Sequence, residues 1–189
     1  MSRSADGSAG AGDGGCRTVH TADLGAGERA AVRALLDDAF AGDLDDDDWE
    51  HALGGLHVLR HDDGGLVGHA AVVQRRLVHA GTALRCGYVE AVAVRPDRRG
   101  RGHGAALLGE VGRVLRGAYD LGALGATEAG AALYARAGWQ RWRGSTWALT
   151  PEGRRRTPDD DGAVMVLPVA VVLDLDGELT CDWRDGDVW

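Results

Sequence analysis

Lysine is absent from this chain: all 21 of its basic residues are arginine. With so much Ala, Gly and Asp, that reads as a base-composition bias toward G and C rather than a functional mark. Long apolar runs are absent too. None approaches the roughly 20 residues that a membrane-spanning helix needs. The opening "MSRSADGSAGAGDGG" lacks the apolar centre of a secretory signal, so the expectation is a cytoplasmic protein with no membrane partner. Cysteine is scarce. Cys16, Cys86 and Cys181 lie far apart with no C-x-x-C pair, which argues against a zinc site and against a disulfide framework. No metal is expected. Excess positive charge is missing as well: the formal net charge is -8, which disfavours a nucleic-acid partner.

What is present fits a globular fold. Of 189 residues, 44% are hydrophobic, enough to bury a proper core. Residues 1–15 read as a flexible leader, and residues 16–189 as one domain. The acid is concentrated in "GDLDDDDWE", "TPDDDG" and the tail "DLDGELTCDWRDGDVW". Such clusters attract cations, although any one of them could be a solvated face. Trp49, Trp183 and Trp189 sit in or beside these clusters, and aromatic rings beside acid suit an organic cation.

Periodicity gives the layout. "CRTVHTADL" reads as a strand. "GERAAVRALLDDAF" follows as a helix with Val32, Leu35, Leu36 and Phe40 on one face. "DDDDWEHALGG" reads as a short helix with an acidic start. "LHVLRH", "LVGHAAVVQRRLVH" and "LRCGYVEAVAV", joined by "DDGG" and "AGTA", form an antiparallel meander. A helix with Leu108, Val111 and Leu115 on one face then leads to the strand "AYDLGALGA", a right-handed parallel crossover. "TEAGAALYARAGW" is a further helix. The segment from "STWALT" through "GAVMVLPVAVVLDL" to the tail reads as strand-rich. The class is α+β: a mixed sheet, an antiparallel meander plus a central parallel strand pair, with helices on both faces.

One segment departs from the acidic background. "RRGRGHG" places Arg98, Arg99, Gly100, Arg101, Gly102, His103 and Gly104 between a buried strand and an apolar-faced helix. That context favours a phosphate cradle at a helix N-terminus over a disordered basic tail. The G-K-[ST] of a Walker loop is absent, and G-x-G-x-G is not the dinucleotide spacing.

The pattern V-x-P-x-x-R-G-x-G-x-G-x-x-L, carried by Val94, Pro96, Arg99, Gly100, Gly102, Gly104 and Leu107, resembles the acyl-CoA-binding motif of the GNAT superfamily of N-acetyltransferases. "ALYARAGW" resembles that superfamily's L-Y-x-x-x-G-[FW], with Leu133, Tyr134, Gly138 and Trp139. Beyond these, "AFAGDL", "DWEHALGG", "HAAVVQRRL", "ALRCGYVEAVAV", "RGAYDLGAL", "RTPDDDG" and "CDWRDGDVW" resemble the aminoglycoside 2′-N-acetyltransferases of actinobacteria. The resemblance runs from about residue 17 to the end. "GALGATEAG" departs from it, being glycine-rich where that family is serine-rich. A hydroxyl contact near Gly125 is therefore in doubt.

The resemblance implies acetyl transfer from acetyl-CoA to a primary amine of an aminoglycoside. The main chain of Val92, Ala93 and Val94 would hold the pantetheine arm and polarise the thioester carbonyl. Arg99, Gly100, Arg101, Gly102, His103 and Gly104 would hold the pyrophosphate. Glu90 would act as base through water, and Tyr134 as acid toward the leaving thiolate. Simple alternation puts Glu90 and Val92 on one face, a parity that a bulge would break. Substrate contacts would come from Asp43, Asp48, Glu90, Asp160, Asp187 and Trp189, the last through its terminal carboxylate. Superfamily members often dimerise, so a homodimer is the accompanying expectation. His57 and His103 have no spacing that makes either one a base. The alternative is a GNAT enzyme for another cationic amine: a polyamine, a peptide or a metabolic amino sugar.

Overall fold

The antiparallel meander makes up the first part of the sheet in chain order. In the computed structural model, which describes residues 15–189, β1 (Cys16–His20) pairs antiparallel with β2 (Leu56–Asp62). β2 pairs with β3 (Gly65–His79), and β3 pairs with β4 (Thr82–Val94). The leader expected over residues 1–15 lies outside the described residues except for Gly15. β3 is buried without a break from Val67 to Val72, because both of its faces are covered.

Helices cover those faces. On one side α1 (Ala26–Ala39) buries Val32, Leu35 and Leu36 against Leu59 and Ala93. The short α2 (Asp46–His51) follows it. On the other side α3 (His103–Ala118) buries Leu107, Leu108, Val111 and Leu115 against Val58, Val72 and Val89. α4 (Glu128–Arg136) adds Tyr134 to that cluster.

β5 (Leu121–Gly125) lies parallel to β4 through only three pairs: Cys86 with Leu121, Gly87 with Gly122, and Tyr88 with Ala123. Glycine is required at the middle pair. A Cβ on Gly87 would stand 2.3 Å from Leu115 Cδ2, and one on Gly122 2.6 Å from Leu115 Cδ1. α3 therefore rests directly on the parallel pair. Past Tyr88 the two strands part. β4 runs on to Val94, while β5 continues only against β9 (Val164–Pro168). The result is a gap in the middle of the sheet.

β6 (Gln140–Arg141) flanks β9. β7 (Thr146–Thr150), β8 (Gly153–Arg156) and β10 (Leu179–Cys181) complete the other end, β10 bridging β3 and β7. Within the segment read as strand-rich, β9 stops at Pro168, opposite Leu121 where β5 begins. With no template beyond that point, the N–H groups of Val169 and Ala170 turn to the Asp120 carbonyl, at 3.1 and 2.9 Å, and Val172 is exposed.

Candidate active site

The basic glycine run forms the turn into α3. Gly100 and Gly102 have φ of 75° and 85°, the left-handed region that favours glycine. A Cβ on either would meet nothing within 4 Å among the described residues, so both border open space there. Gly102 is the N-cap of α3, with no side-chain cap bond among the described residues, which leaves the first helical N–H groups available to an anion. The arginines divide. Arg95 and Arg98 pair with Asp97, and Arg98 also with Asp62. Arg99 donates to the carbonyls of Val94 and Ala39, at 3.2 and 2.9 Å, and so braces the loop. Arg101 is exposed and has no ion-pair partner among the described residues. His103 is buried; its Nδ1 accepts from Arg60 at 3.3 Å and its Nε2 lies 3.8 Å from Asp62. Gly104 lets α4 approach, since a Cβ there would be 3.1 Å from Leu133 Cδ2.

On β4 the parity expectation fails. His69 and Ala71 on β3 oppose Ala93 and Glu90, so β4 carries one extra residue between them. Ala91 takes φ of 49° in this bulge, a conformation costing a non-glycine residue about 1 kcal/mol or more. Glu90 therefore shares a face with Tyr88 and Ala71, whereas Val92 and Val94 pack toward the α3 cluster. Glu90 is largely buried and forms an ion pair with Arg184 of the C-terminal tail. Burial raises its pKa, and the Arg184 guanidinium partly counters that rise.

Tyr134 packs in the α3-side cluster with Val89, Leu124 and Val92, on the face opposite Glu90. It packs edge-on to Trp139, with ring centroids 6.0 Å apart. Burial pushes its phenol up to about 12, so it stays protonated at neutral pH.

The tail assembles the rest. Arg75 holds it in place through Asp182 Oδ1 at 2.7 Å and the Val188 carbonyl at 2.8 Å. Arg184 also donates to the Asp187 carbonyl at 2.7 Å. Trp189 is buried and donates from Nε1 to Thr157 Oγ1 at 3.0 Å. Its terminal carbonyl carbon and oxygen lie 3.6 Å from where a Gly125 Cβ would be, beside the end of β5. Asp160 is half-buried. Its pKa is raised, first by burial and then by acidic neighbours that include Asp187. α2 meets the tail too: His51 Nε2 donates to the Asp185 carbonyl at 2.8 Å, and Asp47 lies against Gly186.

Of the expected substrate residues, Glu90, Asp160, Asp187 and Trp189 thus come together. Asp48 forms a reciprocal cap with Asp45 at the start of α2, at 2.8 and 3.2 Å. Asp43 is exposed in the turn before α2, with no hydrogen bond or ion pair to Glu90 or the tail among the described residues. Among the described residues, no arginine pairs with Asp43, Asp48, Asp160, Asp187 or the terminal carboxylate. Sequence reasoning missed Arg184 and Tyr88. Tyr88 is fully buried, and its hydroxyl is the one buried side-chain polar atom without a partner among the described residues. Alternation back from Glu90 would have placed Tyr88 on the same face. Arg184 had a weaker signal, a lone cation inside an acidic tail.

A three-residue parallel contact that opens into a gap, a glycine cradle at a helix start and a flanking tyrosine are the working parts of an acyl-CoA-dependent transferase. Residues 22–142 match the acetyltransferase (GNAT) domain, and the chain belongs to that family. Over 177 residues, 92% of this chain and 91% of the relative, it is 54% identical to an aminoglycoside 2′-N-acetyltransferase of Mycolicibacterium fortuitum. Among solved structures it is similar to a GNAT family N-acetyltransferase of Escherichia coli in complex with CoA, with TM-score 0.62, 18% identity and 93% of each chain covered. A Brucella melitensis GNAT family acetyltransferase with acetyl-CoA gives TM-score 0.59 and 18% identity over 88% of this chain and 96% of the other. The chain spans only 33% and 34% of two longer structures that it also matches.

GNAT acetyltransferases use acetyl-CoA, and the residues present here fit it. The cradle at Gly100 and Gly102 is open, the N-terminus of α3 is uncapped by side chains, and the gap beside β4 begins at the orphaned Tyr88 hydroxyl.

Proposed function

We propose that this protein acetylates the 2′-amino group of aminoglycosides. The observation that carries the reading is the acid wall: Asp160, Asp187 and the Trp189 carboxylate, unpaired by arginine among the described residues, gathered by the tail that also delivers Arg184 to Glu90. Such a wall suits a substrate bearing several ammonium groups. The relative from Mycolicibacterium fortuitum supports the choice of amine.

Acetyl-CoA supplies the activated acetyl group. The α3 N-terminus, Gly100, Gly102 and Arg101 would hold its pyrophosphate, with Arg99 bracing the turn, His103 and Gly104 contributing main-chain N–H groups, and the main chain of Val92, Ala93 and Val94 lining the arm. The Val92 N–H would polarise the thioester carbonyl. Asp43 and Asp48 would extend the cationic surface toward α2. The wall raises the pKa of a bound amine, which favours binding and opposes attack. Glu90, itself raised by burial, offsets this by taking the proton through water. Tyr134 donates its proton to the departing thiolate. The family resemblance also carries a cytoplasmic homodimer, which light scattering would read.

The test is thiol release from acetyl-CoA with tobramycin, which has a 2′-amine, and kanamycin A, which has a 2′-hydroxyl. Fast turnover with the first and little with the second is expected. Equal turnover removes the 2′ assignment, and turnover with neither removes the aminoglycoside.

A further inference from the structure

A buried row of hydrogen bonds on the α1 side of the sheet ends at the bulge. Thr21 Oγ1 lies 2.8 Å from His57 Nε2, His57 Nδ1 lies 2.9 Å from His69 Nε2, and His69 Nδ1 lies 2.8 Å from the Ala91 carbonyl. Both imidazoles are wholly buried. Burial lowers their pKa to about 4 for His57 and about 3 for His69, so both are neutral at pH 7.

The protons follow by elimination. A carbonyl only accepts, so His69 must donate from Nδ1, which makes its Nε2 an acceptor. His57 must then donate from Nδ1, leaving its own Nε2 as an acceptor for the Thr21 hydroxyl. The hydroxyl's other neighbour, the Gly55 carbonyl at 3.2 Å, already receives the Thr21 N–H at 2.9 Å. Every bond points toward Ala91. The row ends on a carbonyl that takes up no proton, so it is an anchor and not a proton path.

What it anchors matters. The Ala91 carbonyl and the Val92 N–H belong to one planar, trans peptide and point in opposite directions. Holding the carbonyl against His69 of β3 turns the Val92 N–H away from β3, toward the edge of β4 that loses β5 after Tyr88. Ala91 has a positive φ, a conformation that persists only where its surroundings fix it.

We propose that Thr21, His57 and His69 are positioning residues that lock the Ala91–Val92 peptide and so aim the Val92 N–H at the thioester carbonyl. This rests on the acetyl-transfer reading above.

The experiment compares the wild type, His69→Leu and His69→Asn by thiol release, with folding checked by circular dichroism. Asparagine keeps an N–H donor near the Nδ1 position, and leucine does not. Loss of a well-aimed oxyanion donor costs about 100-fold or more in kcat, so a misaimed one in His69→Leu should cost about tenfold or more with both KM values within about twofold. His69→Asn should recover most of that loss. A folded His69→Leu with wild-type kcat overturns the proposal. A folded His69→Leu whose KM rises while kcat holds overturns it equally. Should His69→Leu not fold, nitrogen-15 NMR of the wild-type imidazoles at pH 7 decides. Both rings protonated on Nδ1 support the row, and an Nε2–H on either overturns it. A wild type with no turnover overturns the acetyl-transfer reading and this role with it. An active wild type with an insensitive His69→Leu overturns the row alone.

Discussion

Asp160 and Asp161 are chain neighbours with opposite environments. Asp161 Oδ1 accepts from the Thr146 N–H, the Thr146 hydroxyl and Arg156 Nη1, at 3.0, 2.9 and 2.9 Å. The hydrogen bond from Arg156 leads in holding its pKa down to about 2. Asp160 has no arginine among the described residues, and burial beside other acids raises its pKa. The same division runs through the molecule. Asp182, Asp176 and Glu178 are matched by Arg75, Arg143 and Arg154, and they hold loops and the tail in place. Asp160, Asp187 and the Trp189 carboxylate are left without a cation among the described residues. Matched acids hold the scaffold in place; the unmatched acids form the wall and face whatever cation comes to it.

Glu90 is matched, to Arg184, yet stands with the site rather than with the scaffold. It should therefore give the largest effect. Glu90→Gln should lower kcat about 100-fold with little change in KM, as expected for the loss of a general base. In the wild type, the acid limb of kcat/KM should fall above the ordinary carboxylate range, because burial raises this group. Wild-type turnover by Glu90→Gln at every pH would make Glu90 only the anchor of Arg184. Next comes the tail's own end. Removing Trp189, or extending the chain past it, should raise the aminoglycoside KM about tenfold or more, equivalent to about 1.4 kcal/mol of lost binding. Unchanged KM values would take the terminal carboxylate out of the wall.

The adjacent aspartates should then separate in sign. Asp160→Asn should raise stability slightly and raise the aminoglycoside KM about threefold, each tenfold corresponding to 1.4 kcal/mol. Asp161→Asn should leave kinetics intact and cost about 1 kcal/mol, the bonds being partly exposed and screened. Urea titrations beside steady-state kinetics check both, and matching behaviour of the two variants would erase the distinction. The pH dependence divides likewise. Asp161 has a depressed pKa, so its contribution is present above about pH 4 and is lost as pH falls toward 2. His57 and His69 stay neutral in the fold, whereas unfolded histidine binds a proton near pH 6.5. Stability should therefore already decline as pH drops from 6.5 toward 4, by at most about 1.4 kcal/mol per pH unit for each ring.

Locality explains which of these features the sequence could reveal. Gly100 and Gly102 declare the cradle because one short turn needs both, and Leu133 to Trp139 declare α4 because they share one helix and its end. The meander and the parallel crossover follow from periodicity within each strand. The Glu90–Arg184 pair joins residues far apart in the chain, and the histidine row joins the start of the chain to three strands. No spacing encodes such contacts. The bulge was hidden for another reason: Ala91 takes a positive φ without the glycine that would have marked it, so alternation carried Glu90 and Val92 to the same face. Pro168 did mark the end of β9, but the apolar residues after it masked the signal.

The smallest effect concerns the Tyr88 hydroxyl, buried and without a partner among the described residues. A Cβ on Gly125 would lie 3.9 Å from it and 3.6 Å from the Trp189 carbonyl oxygen, ordinary contact distances with no clash. A serine hydroxyl there, one bond further out, reaches Tyr88 or the terminal carboxylate. Gly125→Ser should thus turn an unmatched group into a matched one. Any side chain at this position also stabilises by reducing the freedom of the unfolded chain. Gly125→Ala is therefore the reference, and the hydroxyl is read as the difference between the two variants. That difference should be about 1 kcal/mol in favour of serine, the net worth of one intramolecular hydrogen bond. Equal stabilities would mean that the Tyr88 hydroxyl already has a partner in solution. The distinction between matched and unmatched groups would then hold for the carboxylates of the wall and not for the tyrosine at the mouth of the gap.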